Sequence, residues 1–278
     1  MTPLTFALLI VFITTAVLAI GLSTTLAGAL AALRERRLFA RVILANFVLV
    51  PLVGVALVRV FPLSGDAAIA LLLLASAAGG PNAIQFTSKV SDERDLAAAV
   101  LFLLTLVSVV VTPVLVLLTL PVEEPITVPY LRVLGALGGL MLLPLFLGSA
   151  VRQRAPTQAA KLAKPLMTLS SLAFVASVVA AASSRQDAAQ AVRGSTLAAM
   201  LVLTLVSMAI GWWLGGPSQG SRRVLAVATN MRHVPLTVAI SIASFPSRDV
   251  DIALLAYLLV VAPPNLVFTI YHGIKAKH

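Results

Sequence analysis

Two short polar clusters interrupt otherwise apolar sequence, and they hold the residue types that can bind a small solute. One is Thr229, Asn230, Arg232 and His233, followed by Pro235. The other is Gly79-Gly80-Pro81-Asn82. Arg232 brings a planar guanidinium, suited to holding a carboxylate or sulfate through two parallel hydrogen bonds. Each proline removes a backbone N–H. Pro81 leaves the carbonyl of Ala77 without its helical donor, and Pro235 does the same to Met231. Two glycines ahead of Pro81 weaken helix continuation further. Both clusters therefore read as helix breaks, one with halves ending near Ala78 and restarting near Asn82, the other across 230–235. The alternative for the first is a proline kink without function. The alternative for the second is a shifted span whose Arg232 snorkels to the surface. Distance opposes the latter: Arg232 follows Arg222 by about 15 Å of helix at ~1.5 Å per residue, half of a ~30 Å hydrocarbon core.

Other polar residues stand beside prolines. Asn46 lies five residues before Pro51, Thr112 precedes Pro113, and Asn265 follows Pro263-Pro264, a third place where the helical ladder should open. Such residues also bridge helices without further function. Enzymatic chemistry finds no support. H-E-x-x-H, G-x-S-x-G and Walker A patterns are absent, and the three histidines, His233, His272 and His278, are not spaced as a metal site. The absence of cysteine rules out disulfides, thiolate metal sites and cysteine catalysis.

These clusters must be positioned by membrane-spanning helices. Of 278 residues, 60% are hydrophobic and 11% charged, against roughly 25% charged in soluble domains; mean hydropathy is +1.04. The apolar runs reach about 20 residues, the length that crosses a bilayer as helix. They lack the alternation of barrel strands. The pattern predicts nine spans, at 4–23, 39–61, 67–90, 96–120, 128–150, 165–183, 194–215, 223–245 and 250–272. The first run, Leu4–Leu22, has no basic n-region and exceeds a signal peptide's apolar core of ~7–15 residues, so it reads as a retained span.

The net charge of +10 sits in short loops, which points to membrane topology rather than nucleic acid. Fourteen Lys/Arg fall in one set of loops (around 34–41, 89–94, 152–164, 222–223 and 275–277), and five in the other (Arg59, Arg132, Arg185, Arg193 and Arg248). The positive-inside rule places the first set in the cytoplasm. The N-terminus is then outside, the C-terminus cytoplasmic, and Glu123-Glu124 outside. The twentieth basic residue is Arg232, within a span, whereas all ten acidic residues lie at span margins or in loops. Breaks in spans three and eight occupy corresponding places in two halves, about 4–120 and 128–272, of opposite topology. That arrangement marks inverted repeats and a transporter site.

The stretch ending in Gly79-Gly80-Pro81-Asn82 with the following LAAAVLFLLTLVSVVVTPVLVLL, the segment LANFVLVP at 44–51 and the segment ATNMRHVPLTVAIS at 228–241 together resemble the bile acid:sodium symporter family, in its nine-span form. The resemblance implies a panel of spans one, five and six (4–23, 128–150 and 165–183) and a core of the remaining six, with spans three and eight crossing at their breaks. It implies import of organic anions such as bile acids, steroid sulfates and small carboxylates, driven by sodium. Its sodium ligands are poorly kept. The family's Ser-Asn pair falls at Ala83 and Ile84, a Glu at about Ala228, a Gln at Arg232, and two hydroxyl residues at Ala97 and Leu101. Asn46 alone retains the expected character.

The resulting expectation is one all-α transmembrane unit, 1–278, that carries a small organic anion across a cell membrane by alternating access. Gly80, Pro81, Asn82, Thr229, Asn230, Arg232, His233 and Asn265 form the substrate site. No cofactor is called for; sodium, if used, would draw on Asn46, Thr229 and Asn230. The alternatives are a sodium-independent carrier with Arg232 in place of the cation, a proton-coupled or auxin-carrier-like transporter of another fold family, and a membrane ligand sensor or accessory subunit that does not translocate.

Overall fold

The computed structural model describes residues 3–32, 35–63, 65–91, 93–119, 135, 138–184, 194–245 and 250–275. The described elements are all helical. In chain order they are α1 (Pro3–Ser23), α2 (Leu26–Ala32) and α3 (Arg36–Leu44), then a π-helical stretch (Ala45–Leu49) leading into α4 (Val50–Val60). Next come α5 (Gly65–Ser76), α6 (Ala83–Val90) and α7 (Arg94–Thr119). A second π-helical stretch (Gly138–Leu142) leads into α8 (Leu143–Arg154), followed by α9 (Pro156–Ser184) and α10 (Gly194–Leu214). The chain closes with α11 (Gln219–Asn230), α12 (Val234–Ser244) and α13 (Val250–Lys275).

Among the described residues five helical segments are long and apolar enough to cross a membrane: Pro3–Ser23, Arg36–Val60, Asp95–Thr119, Gly194–Leu214 and Val250–Gly273. Two more of the expected spans, 67–90 and 223–245, arrive as two half-helices each, because their central residues cannot continue a helix. The expected span at 165–183 lies inside α9. Of 128–150, the described portion is residue 135 and residues from Gly138 onward; Glu123-Glu124 and the loop around them lie outside the described residues.

The distribution of polarity is inverted relative to a water-soluble domain. Large apolar side chains such as Trp213, Leu118 and Leu259 face outward, while Asn46, Asn230, Arg232, His233 and Asn265 are buried. Hydrocarbon as the surrounding solvent accounts for both halves of that pattern.

Helix association relies on small residues, as it does where apolar surface gains nothing from leaving lipid. α1 packs along α8 and α9. Gly21 of α1 faces Gly148 of α8 so closely that a Cβ on either would strike the other helix's backbone. Elsewhere α10 packs on α11, and α5 contacts α4, α7 and α13.

Two expectations need correction. Pro263-Pro264 does not divide its span: α13 runs through both. Two missing donors in a long helix leave most of the ladder intact, and the Asn265 side-chain amide donates to the Val261 carbonyl at 2.8 Å. Span two, expected as plain helix, contains the π-helical stretch at Ala45–Leu49. There the Val50 N–H donates five residues back to Ala45 O. In that register the donor for Asn46 O would be residue 51, a proline without an N–H.

Candidate functional site

The chain leaves helix at Ala77 and resumes it at Ala83; it leaves again at Met231 and resumes at Val234. The two breaks are joined by backbone hydrogen bonds. His233 N–H donates to Ala77 O at 3.0 Å, and Gly80 N–H donates to Met231 O at 2.9 Å. Ala77 O and Met231 O are the two carbonyls that Pro81 and Pro235 deprive of helical donors, so each break takes up the acceptor stranded in the other.

Glycine is required twice at the first break, for separate reasons. Gly79 adopts φ +80°, a left-handed conformation that L side chains disfavour by about 1–2 kcal/mol. Gly80 lies against the carbonyls of Met231 and Arg232, where a Cβ would collide with both. Several further loose groups are bonded by α7. Thr112 Oγ1 donates to Ser76 O at 3.1 Å. Ser108 Oγ donates to Ala78 O at 2.9 Å and accepts from Ala78 N at 3.0 Å. Thr105 Oγ1 reaches Gly79 O at 3.4 Å. Residues 105, 108 and 112 share one helix face. Thr105 and Ser108 were not among the expected site residues; hydroxyls at that spacing in an apolar helix were the available signal.

At the second break His233 has φ −81° and ψ 70°, and Val234 N–H donates to Arg232 O at 2.9 Å, which is an inverse γ-turn. The His233 side chain caps α12, its Nδ1 accepting from Leu236 N–H at 3.2 Å. An accepting Nδ1 places the imidazole proton on Nε2. That Nε2 is buried without a hydrogen-bond partner, as is Asn82 Oδ1 at the start of α6. Tyr257 of α13, also outside the expected set, donates its hydroxyl to Asn230 O at 2.5 Å and accepts from Arg232 N–H at 3.4 Å.

Arg232 is 2% exposed and does not snorkel. Its guanidinium makes five contacts with neutral oxygens. Nε donates to Leu74 O at 2.8 Å. Nη1 donates to Thr229 O at 2.9 Å and Asn46 Oδ1 at 3.1 Å. Nη2 donates to Ala75 O at 2.7 Å and Asn46 O at 3.5 Å. Five N–H groups meet five contacts, so the two-pronged grip on an anion expected of this side chain has no free donors in this conformation.

Asn230 and Asn265 form a reciprocal amide pair, at 3.1 and 2.9 Å. Asn46 Nδ2 donates to Val42 O at 3.0 Å and Thr229 Oγ1 at 3.3 Å. All the expected site residues thus gather around the paired breaks, but Asn46, Thr229, Asn230, Arg232 and Asn265 are bonded to protein. The space between the breaks, lined by Gly80, Pro81, Asn82, Val234 and Tyr257 among others, is a cavity of about 10 Å³, enough for roughly one water. A solute larger than water fits there only if these elements move. Among the described residues no cluster of three or more His, Asp or Glu is placed to hold a metal ion.

The model of the Sodium Bile acid symporter family matches residues 7–213. The match contains the first break and ends before the second. No curated protein matches the chain.

Proposed function

The chain belongs to the Sodium Bile acid symporter family, and from that premise we propose that it is a secondary transporter moving a small organic anion across the membrane by alternating access. The observation that carries the reading is the pairing of two helix breaks around a buried, fixed positive charge. Interrupted helices meeting deep in a membrane protein are the usual makings of a transport site, because backbone without helical partners is tolerated there only against protein or a water-filled cavity.

Several features favour an anion. α6 and α12 both begin at the crossing, so their positive dipole ends lie there. Arg232 contributes its charge through the field, its N–H groups being engaged. His233 Nε2–H is a donor without a hydrogen-bond partner, and it and the Asn82 side-chain oxygen are the groups of the expected site left for substrate. In this reading the nine spans form inverted repeats. α1, α8 and α9 act as a panel against which the core of the remaining helices rocks, and the mutual packing of α1, α8 and α9 supports that division. The N-terminus is taken as outside and the C-terminus as cytoplasmic.

The test is flux of labelled cholate, a steroid sulfate and a short monocarboxylate into proteoliposomes containing the purified protein. Saturable uptake of one of them, lost in a His233→Phe variant that still folds, is the expected result. Saturable binding with no flux above protein-free vesicles would instead make the protein a ligand-binding sensor or subunit.

A further inference from the structure

The surroundings of the Arg232 guanidinium have the chemistry of a cation site. Every acceptor is an oxygen, every one is neutral, and they come from three separate elements. Leu74 O and Ala75 O belong to the last turn of α5 and Thr229 O to the last turn of α11. Both are half-helix C-terminal ends, which carry partial negative charge. Asn46 supplies its side-chain oxygen and its backbone carbonyl, the latter made available by the π-helical register and Pro51. Half-helix C-termini and unwound carbonyls are what transporters use to hold a mobile monovalent cation. Here a side chain of the chain itself fills the place.

We propose that Arg232 is a tethered cation. Its guanidinium permanently fills the oxygen cage formed by Leu74, Ala75, Asn46 and Thr229, so no free monovalent cation binds in that cage. The inference rests on the transport reading only for its consequence, that sodium drives no step at this cage. A free sodium ion at the same oxygens would lie within a few ångströms of the guanidinium, where low dielectric makes the repulsion severe. The charge that a symporter would gain and release with each cycle is therefore present throughout the cycle.

Removing the side chain should convert the cage into a real site for a small cation, with guanidinium itself the best fit. The experiment measures thermal unfolding of the purified full chain in detergent, as wild type and as Arg232→Ala. Guanidinium, sodium and choline chlorides are compared at millimolar concentrations and equal ionic strength. A ligand that binds only the folded form raises the midpoint. Arg232→Ala should gain a saturable upward shift with guanidinium over choline, and the wild type should gain none. Equal midpoints of Arg232→Ala in guanidinium and choline would overturn the proposal.

The wild type supplies a second reading that does not depend on that variant folding. Replacing sodium by choline should leave its midpoint unchanged and alter anion uptake by less than about twofold, because a site already filled shows no linkage to the ion. A saturable sodium-specific rise in the wild-type midpoint that Arg232→Ala or Asn46→Ala alters would show sodium in the cage and sink the idea. Guanidinium-specific stabilisation of Arg232→Ala with no uptake of any anion would keep the tethered cation and remove the transport reading. Uptake that collapses without sodium, together with sodium stabilisation of the wild type that requires Asn46, would do the reverse.

Discussion

The breaks at 77–82 and 231–233 solve the same problem by opposite means. At the first, the backbone itself gives way. Gly79 takes a positive φ, Gly80 admits a neighbouring carbonyl, and neutral hydroxyls of α7 bond the loose groups at Ser76, Ala78 and Gly79. At the second, no glycine is present. The chain turns through a γ-turn at His233 and is held by large side chains: His233 caps α12, Tyr257 bonds Asn230 and Arg232, and the Arg232 guanidinium ties both breaks to the π-helical stretch. The first is a pliant backbone in a polar groove, the second a set of side-chain anchors. An open break in hydrocarbon must have its N–H and C=O groups answered, and the comparison shows that the answer can come from small hydroxyls of a neighbouring helix or from large side chains and turns of the break itself.

Substitution separates the two designs. The largest effect is expected at Arg232→Met, which leaves the cage oxygens without donors. Each buried neutral acceptor left without a donor costs about 1–3 kcal/mol, and several are stranded together here, a loss read as a lowered midpoint in detergent unfolding. Stability equal to wild type would mean that the second break is not held by its anchor. Gly79→Ala should follow, at about 2–3 kcal/mol, from an unfavourable φ and from contact with Leu104 and Thr105. A neutral result there would show that the first break relaxes to a negative φ, and the contrast with the second would fade. Ser108→Ala removes both a donor and an acceptor for buried backbone and should lose about 1–2 kcal/mol. Tyr257→Phe keeps the ring and should lose about 1 kcal/mol. Reversal of that last order would place more of the stabilisation at the second break than the hydrogen-bond geometry indicates.

The existence of the breaks was legible in the chain because their cause is covalent. Pro81 and Pro235 have no N–H, and no tertiary context can restore one, so Ala77 O and Met231 O were identifiable as stranded acceptors. The same reasoning failed at Pro263-Pro264, where the long helix α13 continues past two missing donors with a side chain bonding one nearby carbonyl. It also passed over the π-helical stretch at Ala45–Leu49, whose effect depends on which carbonyl residue 50 selects. Tyr257 was invisible as a site residue because it lies 25 positions from its Arg232 partner, within an ordinary apolar run.

Residue types alone determined that this chain seeks hydrocarbon, that two of its helices must open, and that one obligate positive charge lies deep inside. Those are properties of single residues and short runs, set by transfer free energy and by the chemistry of proline. Tertiary structure alone decided who answers the opened groups. It brought residues 46, 74, 75 and 229 around residue 232, and so turned an expected anion-gripping arginine into one whose donors are all engaged within the protein. Hydrogen-bond partners 150 or more positions apart, as Leu74 and Ala75 are from Arg232, leave no trace in local spacing, and only the packing of whole helices selects them.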